Sequence, residues 1–522
     1  MNNTTSSAAA LTSTGFVPSP YHTAIDGALR ASPRHLIIQA GPGSGKTTTG
    51  VRVVIPALIQ LLGHGVAVAY NKKNAEDFAA RLGGLSSSVT SGTIHSVCLA
   101  ALNASRARRV RVEGGSKGGY CRFKKRPLPA TPSKTARLAA EVTPAEERVK
   151  HADTVALWAD RVRISALGLP GFPALTVENV AELTAMHPQE LPDEFPQWVL
   201  ATVERGLAER ETVDFSEMIY FPLYEGVSFK GFRWWFIDEA QDISPIMLAL
   251  IRQAVRDGAR IVAVGDSRQA INGFAGAVQN ALDVIREELG AEVLPLPVSY
   301  RCSVAAIGEA NRYFPGAIEP GPCALAGSVE HMELSALDVL ALDSGDACLA
   351  RTHKAILPLA MRLLRERRDF AYKGAADLVA NLSRLLYRAA KKENDCGAAR
   401  ALLLAHHEAT EQKAMETGKV PHWLAVQREN VESLTLLLAQ VEAEGGTVAT
   451  LKTYFNRLTE MEKGKGVTLS TFHSAKGGEW PTVYLLGALE SSLAATEAEK
   501  EAERCVAFVA LTRSSDRLIY VA

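Results

Sequence analysis

The sequence predicts an α/β protein with two units, each of which has a parallel sheet and carries a long, mostly helical insertion. The first observation behind this prediction is length. The chain has 522 residues, whereas a domain with a single hydrophobic core rarely exceeds about 250 to 300 residues. The second is alternation, since short apolar segments of strand length are separated by helical patterns in two successive sets. Such alternation is typical of parallel sheets covered by helices on both faces.

The apolar segments give the positions of the two units. The strands predicted for the first unit are 35–40, 66–70, 232–237 and 259–264, and those predicted for the second are 347–350, 467–472, 483–486 and 518–521. The predicted organisation is a flexible tail at 1–20, a first unit at 21–97 and 205–282 with an insertion at 98–204, and a second unit at 283–351 and 466–522 with a reduced helical insertion at 352–465.

Composition excludes several classes of protein. Apolar residues make up 47% of the chain and charged residues 22%, which is the balance of a globular protein rather than a disordered one. No apolar segment reaches the roughly 20 residues that span a bilayer, and the N-terminus lacks the features of a secretory signal. The seven cysteines are far apart, which argues against a zinc site and suits a reducing cytosol. We expect a soluble cytoplasmic protein with no membrane partner.

Charge is unevenly distributed, although the formal net charge is zero. Residues 106–137 contain eleven Lys or Arg and a single acid, Glu113. Such a basic segment can contact a nucleic-acid backbone. It can equally be a solvated basic loop, and composition leaves both interpretations open.

A glycine-rich segment between a predicted strand and a predicted helix fits the Walker A pattern, with Ala40 in place of the first Gly. Inward-pointing N–H groups and the positive end of the following helix form a phosphate site. Lys46 then reaches the terminal phosphates, and the Thr47 hydroxyl ligates Mg²⁺. The residues predicted to hold the nucleoside triphosphate are Gly41, Pro42, Gly43, Ser44, Gly45, Lys46, Thr47 and Thr48.

Two acids follow the apolar segment 234–237 directly. A phosphate loop needs a carboxylate at the end of a neighbouring buried strand to hold magnesium, and Asp238 fits this position. Glu239 fits a residue that orients and activates the attacking water. Acids after an apolar segment are often only a solvated strand end, but beside a phosphate loop we interpret them as catalytic.

The sequence Asp238-Glu239-Ala240-Gln241-Asp242 resembles the second motif of superfamily 1 helicases, in particular those similar to UvrD, Rep and PcrA. Other segments resemble further blocks of this family: a DNA-contacting block at 93–96, the third motif at 265–269, the fourth at 299–303, the fifth at 469–480 and the sixth at 508–513. The resemblance implies two RecA-like P-loop NTPase domains, with ATP and Mg²⁺ as cofactors.

The resemblance also implies roles for single residues. Gln269 senses the terminal phosphate, and Arg301 and Arg513 act as arginine fingers, because a guanidinium stabilises the charge that builds during phosphoryl transfer. Tyr300 stacks on adenine and Glu479 binds the ribose. The implied DNA contacts are Tyr70, Asn71, Thr93, His95, Ser96, Phe274, Thr471, His473 and Ser474. For these DNA contacts the alternative is ordinary packing or helix capping.

The sequence departs from the family pattern at four positions. His22 stands where the family usually has a Gln that reads adenine, which predicts relaxed nucleotide specificity because the two-point amide contact is lost. Asn272 replaces a usual Tyr and Ala275 a usual Arg, which predicts a weaker grip on bases. Gly478 replaces a common apolar residue.

The resemblance implies an ATP-dependent DNA helicase or translocase that moves 3′ to 5′ on single-stranded DNA and acts at junctions of single and double strands. A DNA-stimulated ATPase that remodels complexes as one subunit of a larger assembly is the alternative, and the short second insertion and altered third motif favour it. A metabolic kinase leaves the fifth and sixth blocks unexplained. The biological pathway, a protein partner for loading and the oligomeric state are left open.

Overall fold

The computed structural model describes residues 16–69, 72–106, 109–113, 133–185, 191–271, 278, 280–416, 422–491, 494 and 496–522. The described residues form two compact units, one running up to Val298 and the other formed by Ser299–Ala522. Each unit contains a six-stranded sheet in which every recorded pairing is parallel. The predicted α/β class with parallel sheets is therefore confirmed.

The sheet of the first unit has the strand order β3-β2-β6-β7-β1-β8. A separate two-stranded ladder pairs β4 with β5. The strands of this unit are β1 (Leu36–Ala40), β2 (Gly65–Ala69), β3 (Val89–Thr93), β4 (Arg111–Val112), β5 (Thr212–Val213), β6 (Trp234–Ile237), β7 (Arg260–Gly265) and β8 (Glu292–Leu296).

Helices cover the first sheet and form its insertion. The helices of this unit are α1 (Pro20–Ala31), α2 (Lys46–Thr49), α3 (Ile55–Leu62), α4 (Lys72–Leu82), α5 (Ile94–Ser105), α6 (Lys134–Val142), α7 (Arg148–Ile164), α8 (Val177–Thr184), α9 (Phe195–Ala208), α10 (Glu217–Tyr224), α11 (Pro245–Arg256) and α12 (Ala281–Leu289). A π-helical segment, Gly50–Val54, joins α2 to α3. Helices α6 to α9 form the insertion and bury Trp158 and Phe195 in their own core.

Strand periodicity explains the two cores of the first sheet. Side chains alternate between faces along a strand, so Leu36 and Ile38 join the core on one face while Ile37 joins the core on the other. The helix that follows the phosphate loop packs closely on the first of these cores. A Cβ atom at Gly50 would lie 2.5 Å from Cζ of Phe236, so a glycine is needed where this helix crosses the sheet.

The sheet of the second unit has the order β11-β16-β15-β12-β14-β13. Two short strands, β9 (Val298–Ser299) and β10 (Glu319–Pro320), form a separate ladder. The sheet strands are β11 (Ser328–Met332), β12 (Asp346–Ala350), β13 (Phe370–Tyr372), β14 (Val467–Thr471), β15 (Trp480–Leu486) and β16 (Ser514–Val521). The helices are α13 (Val304–Tyr313), α14 (His353–Arg365), α15 (Ala375–Ala390), α16 (Cys396–Glu416), α17 (His422–Ala443), α18 (Val448–Glu460) and α19 (Glu497–Leu511).

Three predicted boundaries need correction. The first unit continues past residue 282, because β8 pairs with β1. The second insertion begins after Tyr372 rather than at residue 352, because β13 pairs with β14 and so belongs to the sheet, which leaves α15 to α18 as the inserted helices. The predicted tail at 1–20 overlaps ordered chain, since the Ser19 side chain caps α1. Within the described ranges, no helix is long and apolar enough to cross a bilayer.

Candidate nucleotide and DNA sites

The phosphate loop links β1 to α2 at the carboxyl edge of the first sheet. Gly43 and Gly45 have φ angles of 70° and 77°, in the left-handed region that favours glycine. The N–H group of Gly41 donates to the carbonyl oxygen of Leu296 at 3.0 Å, which anchors the loop to β8. The Ser44 side chain is buried, and its hydroxyl has no hydrogen-bond partner among the described residues. A buried hydroxyl in such a loop fits a phosphate oxygen as its missing partner.

The acidic pair lies beside this loop. Glu239 Oε2 is 3.7 Å from Nζ of Lys46. Asp238 is buried, and its Oδ1 accepts the N–H group of Glu239 at 2.9 Å. Burial and the neighbouring Glu239 charge raise the pKa of Asp238 to about 7, although Lys46 opposes this. Glu239 has a φ of 53°, a left-handed conformation that non-glycine residues adopt at a cost and that concentrates at functional sites.

Hydrogen bonds connect the second and third motifs within the first unit. Gln241 Nε2 donates to Glu239 Oε2 at 2.6 Å, and the N–H group of Asp266 donates to Gln241 Oε1 at 3.0 Å. Gln269 Nε2 then donates to Asp266 Oδ2 at 2.7 Å. A line of hydrogen bonds therefore runs from Glu239, next to Lys46, to Gln269. The sequence predicted these residues separately, but not the part that Gln241 and Asp266 take in joining them.

His22, which stands where the family usually has a Gln, is held by hydrogen bonds within the first unit. The ring is 3% exposed, and its Nδ1 accepts the N–H group of Ser19 at 3.0 Å. Its Nε2 lies 3.1 Å from the Thr49 hydroxyl, and the proton is on Nε2 because Nδ1 accepts. Burial lowers the pKa of His22. Both ring nitrogens have partners inside the fold, so the predicted contact of His22 with adenine would require one of these hydrogen bonds to be exchanged, and it stays a prediction.

The predicted DNA-contacting block begins at the end of β3. The Thr93 hydroxyl accepts the N–H group of Ser96 at 3.3 Å and caps α5. Capping, the alternative interpretation, therefore describes the Thr93 hydroxyl, and the DNA contacts stay a prediction. His95 stacks on Phe215, with 3.7 Å between ring centroids and 24° between planes. Burial lowers the pKa of His95 to about 4, so the ring is neutral. Phe215 is 43% exposed and was missed because its neighbours carry no recognisable motif.

The second unit repeats this local arrangement at the end of β14. The sequence Thr-Ile-His-Ser of the first unit has a counterpart, Thr-Phe-His-Ser, at 471–474. The Thr471 hydroxyl accepts the N–H group of Ser474 at 3.3 Å, as Thr93 does for Ser96. Burial lowers the pKa of His473 to about 4, with a smaller effect from Arg351. This short repeat was visible in the sequence and was overlooked.

The two predicted arginine fingers both have partners inside the second unit. Arg301 Nε donates to Glu479 Oε2 at 2.6 Å, which joins two residues that are far apart in sequence. Arg513 is 1% exposed, and its Nε donates to the carbonyl oxygen of Val509 at 2.8 Å. Tyr300 is 55% exposed, as a ring that stacks on a base would be.

Gly478, one of the departures from the family pattern, has a local explanation. A Cβ atom at this position would lie 2.4 Å from Cη2 of Trp480, and the Trp480 ring is buried. The carbonyl oxygen of Gly478 also accepts a hydrogen bond from Nη1 of Arg513 at 3.1 Å. The glycine therefore lets the fifth motif pack closely on this ring.

The ends of the basic segment are used within the fold. Arg106 pairs with Glu225. Lys134 is fully buried and lies 3.0 Å from Glu217, and Arg137 NH2 pairs with Glu209 at 2.6 Å. The phosphate-contact interpretation is therefore wrong for Lys134, while both interpretations stay open for the middle of the segment. Several predicted positions lie outside the described residues: Tyr70, Asn71, Asn272, Phe274, Ala275 and 114–132.

Comparisons with known proteins agree with these motifs. The UvrD/REP helicase N-terminal domain matches residues 23–289, and the UvrD-like helicase C-terminal domain matches residues 377–522. The ATP-dependent DNA helicase PcrA of Staphylococcus epidermidis is 24% identical over 314 residues, which cover 54% of this chain and 38% of PcrA. The ATP-dependent DNA helicase UvrD2 of Mycobacterium tuberculosis is 24% identical over 335 residues, which cover 54% of this chain and 46% of UvrD2.

The matched region thus spans less than half the length of these relatives, at 38% and 46%. A solved complex of Arterivirus nonstructural protein 10 (helicase) with DNA covers 95% of this chain and 63% of its own, with 13% identity and a TM-score of 0.33, a likeness too low to support an argument. The two matched domains account for most of the chain. The chain belongs to the UvrD/Rep helicase family.

Proposed function

We propose that this chain is an ATP-dependent DNA helicase or translocase that couples ATP hydrolysis to 3′-to-5′ movement on single-stranded DNA. The observation that carries the proposal is the line of hydrogen bonds from Glu239, beside Lys46, through Gln241 and Asp266 to Gln269. Such a line of hydrogen bonds can transmit the difference between bound ATP and its hydrolysis products from the phosphate loop to the third motif. Membership of the UvrD/Rep helicase family supports DNA as the polymer along which the chain moves.

The residues around the phosphate loop suit phosphoryl transfer to water. Thr47 and Asp238 would hold Mg²⁺, which neutralises phosphate charge and helps to align the attacking water. Phosphate oxygens attract the Lys46 ammonium, which lies 3.7 Å from Glu239 in this structure. Drawing Lys46 toward phosphate leaves Glu239 free to accept a proton from water. Gln241, which donates to Glu239 Oε2, keeps that carboxylate oriented.

The His95–Phe215 pair gives the first unit a surface for DNA bases. Phe215 is partly exposed, whereas its neighbours Asp214, Ser216 and Glu217 are buried and hydrogen-bonded. These buried neighbours fix the backbone at Phe215 and leave its ring exposed. Less conformational entropy is therefore lost when a base stacks on the ring. Stacking of a base on an aromatic ring is worth about 1 to 3 kcal/mol and tolerates any sequence, which suits movement along a strand. In the second unit, Thr471, His473 and Ser474 would also contact single-stranded DNA.

ATP hydrolysis and strand separation measured together test the proposal. We expect single-stranded DNA to stimulate ATP turnover, and forked duplexes with a 3′ tail to be unwound in preference to those with a 5′ tail. Lys46→Ala should abolish turnover, because the terminal phosphates lose their charged partner. Lys150→Ala, at an exposed lysine of the same unit, is the matched control. Turnover retained in Lys46→Ala would refute the phosphate-loop assignment, and unwinding only of 5′-tailed forks would refute the polarity.

A DNA-stimulated remodelling ATPase, acting as a subunit of a larger complex, is the second candidate. The observation that favours it is the small second insertion, which is reduced to helices α15 to α18 once β13 is assigned to the sheet. The same assays separate the two candidates. Stimulated turnover with no unwinding of either fork, even at high protein concentration, would favour the remodelling ATPase and exclude an autonomous helicase.

A further inference from the structure

Gln39 is a polar residue in β1, a strand that lies between β7 and the edge strand β8 in the first sheet. It lies in β1 one residue before Ala40, where the phosphate loop begins, and it shares a face of the strand with the core residue Ile37. Its register partner on β7 is Gly265, the residue that precedes Asp266. A partly buried amide in such a strand is costly unless it is hydrogen-bonded. Its partners therefore indicate why a polar side chain stands here.

Both recorded hydrogen bonds of the Gln39 amide go to the start of the third motif. Nε2 donates to Asp266 Oδ1 at 3.2 Å and to the Ser267 hydroxyl at 3.0 Å. These bonds join the strand that carries the phosphate loop to the turn that carries Gln269. The pairing of β1 with β7 already fixes these two strands relative to each other. The Gln39 amide therefore adds a restraint on the turn that follows β7.

Asp266 is the centre of this connection. Its carboxylate is fully buried and needs donors on both oxygens. Oδ1 accepts from Gln39 and from Nε of Arg268 at 2.7 Å, whereas Oδ2 accepts from Gln269 at 2.7 Å. The N–H group of Arg268 also donates to Oδ1 at 3.3 Å. Of the three donors on Oδ1, only Gln39 lies outside the third motif, so only its bond sets the direction in which Oδ2 holds Gln269 relative to β1.

We propose that Gln39 is a positioning residue which fixes Asp266, and through it Gln269, relative to the phosphate loop. The inference rests on the proposed function, in which Gln269 responds to the terminal phosphate. Without Gln39 the carboxylate keeps its bonds to Arg268 and Gln269, but these residues belong to the same turn, so the resting position of Gln269 is no longer tied by a side chain to β1. Hydrolysis then slows, while nucleotide binding, which depends on the loop itself, is unaffected.

The test is a double-mutant cycle on ATP turnover, with and without single-stranded DNA. Gln39→Met keeps the length of the side chain but removes its donor, and we expect kcat to fall about fivefold to tenfold, the size expected for one lost hydrogen bond, with KM for ATP within about twofold. Because Gln39 acts through Gln269, adding Gln39→Met to Gln269→Ala should cause no further loss. Ile37→Val, on the same face of β1, is the control for a structural change in the strand.

Three results would overturn this inference. The first is a Gln39→Met protein with wild-type kcat, and the second is a loss that multiplies with that of Gln269→Ala. The third is an equal loss in Ile37→Val, which would mark a general disturbance of β1. Turnover that single-stranded DNA does not stimulate would instead contradict the proposed function, and the cycle measured without DNA would still decide the role of Gln39.

Discussion

Replacing Lys134 by methionine tests whether the end of the basic segment is structural. The Lys134 ammonium is fully buried. It donates to the carbonyl oxygens of Gly206 and Glu209, each at 2.7 Å, and of Thr212 at 2.9 Å, and it lies 3.0 Å from Glu217 Oε2. Burial lowers the pKa of Lys134 and raises that of Glu217, so each charge depends on its partners.

The structure sets the expected loss of stability. Lys134→Met leaves three buried carbonyl oxygens without this donor and leaves Glu217 with Arg163, whose NH2 is 2.9 Å away. Removing one partner of a buried ion pair costs about 3 to 5 kcal/mol. Because Arg163 still compensates Glu217, we expect the lower end, about 3 kcal/mol.

Urea unfolding followed by tryptophan fluorescence measures this loss, since Trp158 lies in the core of the same insertion. Lys150→Met is the control, because Lys150 is 70% exposed and lies 3.8 Å from Glu147, and exposed pairs contribute only about 0 to 1 kcal/mol. In the folded Lys134→Met protein, the salt dependence of single-stranded DNA binding should be unchanged. A stability loss below about 1 kcal/mol, or a log–log salt slope reduced by about 0.7, would refute the structural interpretation.

Three further outcomes are expected. Phe215→Ala should raise the Kd for single-stranded DNA about tenfold in fluorescence anisotropy, because one stacked base contributes about 1 to 3 kcal/mol; an unchanged Kd would exclude this stacking surface. Gly478→Ala should destabilise the second unit by about 1 to 3 kcal/mol, since its Cβ would lie 2.4 Å from the Trp480 ring, and a wild-type Tm would contradict the packing. Burial lowers the pKa of His95, His353 and His473 to about 4 from the usual 6.5. Unfolded chains then bind more protons at these three sites between these values. The raised pKa of Asp238 offsets only one of them, so stability is present above pH 6.5 and falls as pH is lowered from 6.5 to 4; a Tm that stays constant over this range would contradict it.

The predicted strands show how much of the two sheets the local pattern of apolar residues can predict. Each apolar segment predicted as a strand overlaps a strand of the structure, within a few residues at the ends. The strands that the sequence did not predict lack a long apolar segment. Val89–Thr93 is mostly small or polar, and Phe370–Tyr372 is short, so neither stands out from its surroundings. These two and the other missed sheet strands, β8 and β11, lie at sheet edges, where one neighbouring strand supplies the hydrogen bonds that composition does not indicate.

Side-chain partners depended on the tertiary structure. The sequence by itself determined the α/β class, the phosphate loop and the acidic pair, because backbone geometry and magnesium chemistry require particular residues at short spacing. It did not reveal that His22 is buried against Ser19 and Thr49. Nor did it reveal that Lys134 is buried beside Glu217, or that Gln39 reaches Asp266. Apart from the Ser19–His22 contact, these contacts join residues far apart in the chain, so only folding brings them together and decides which charges stay available to a ligand.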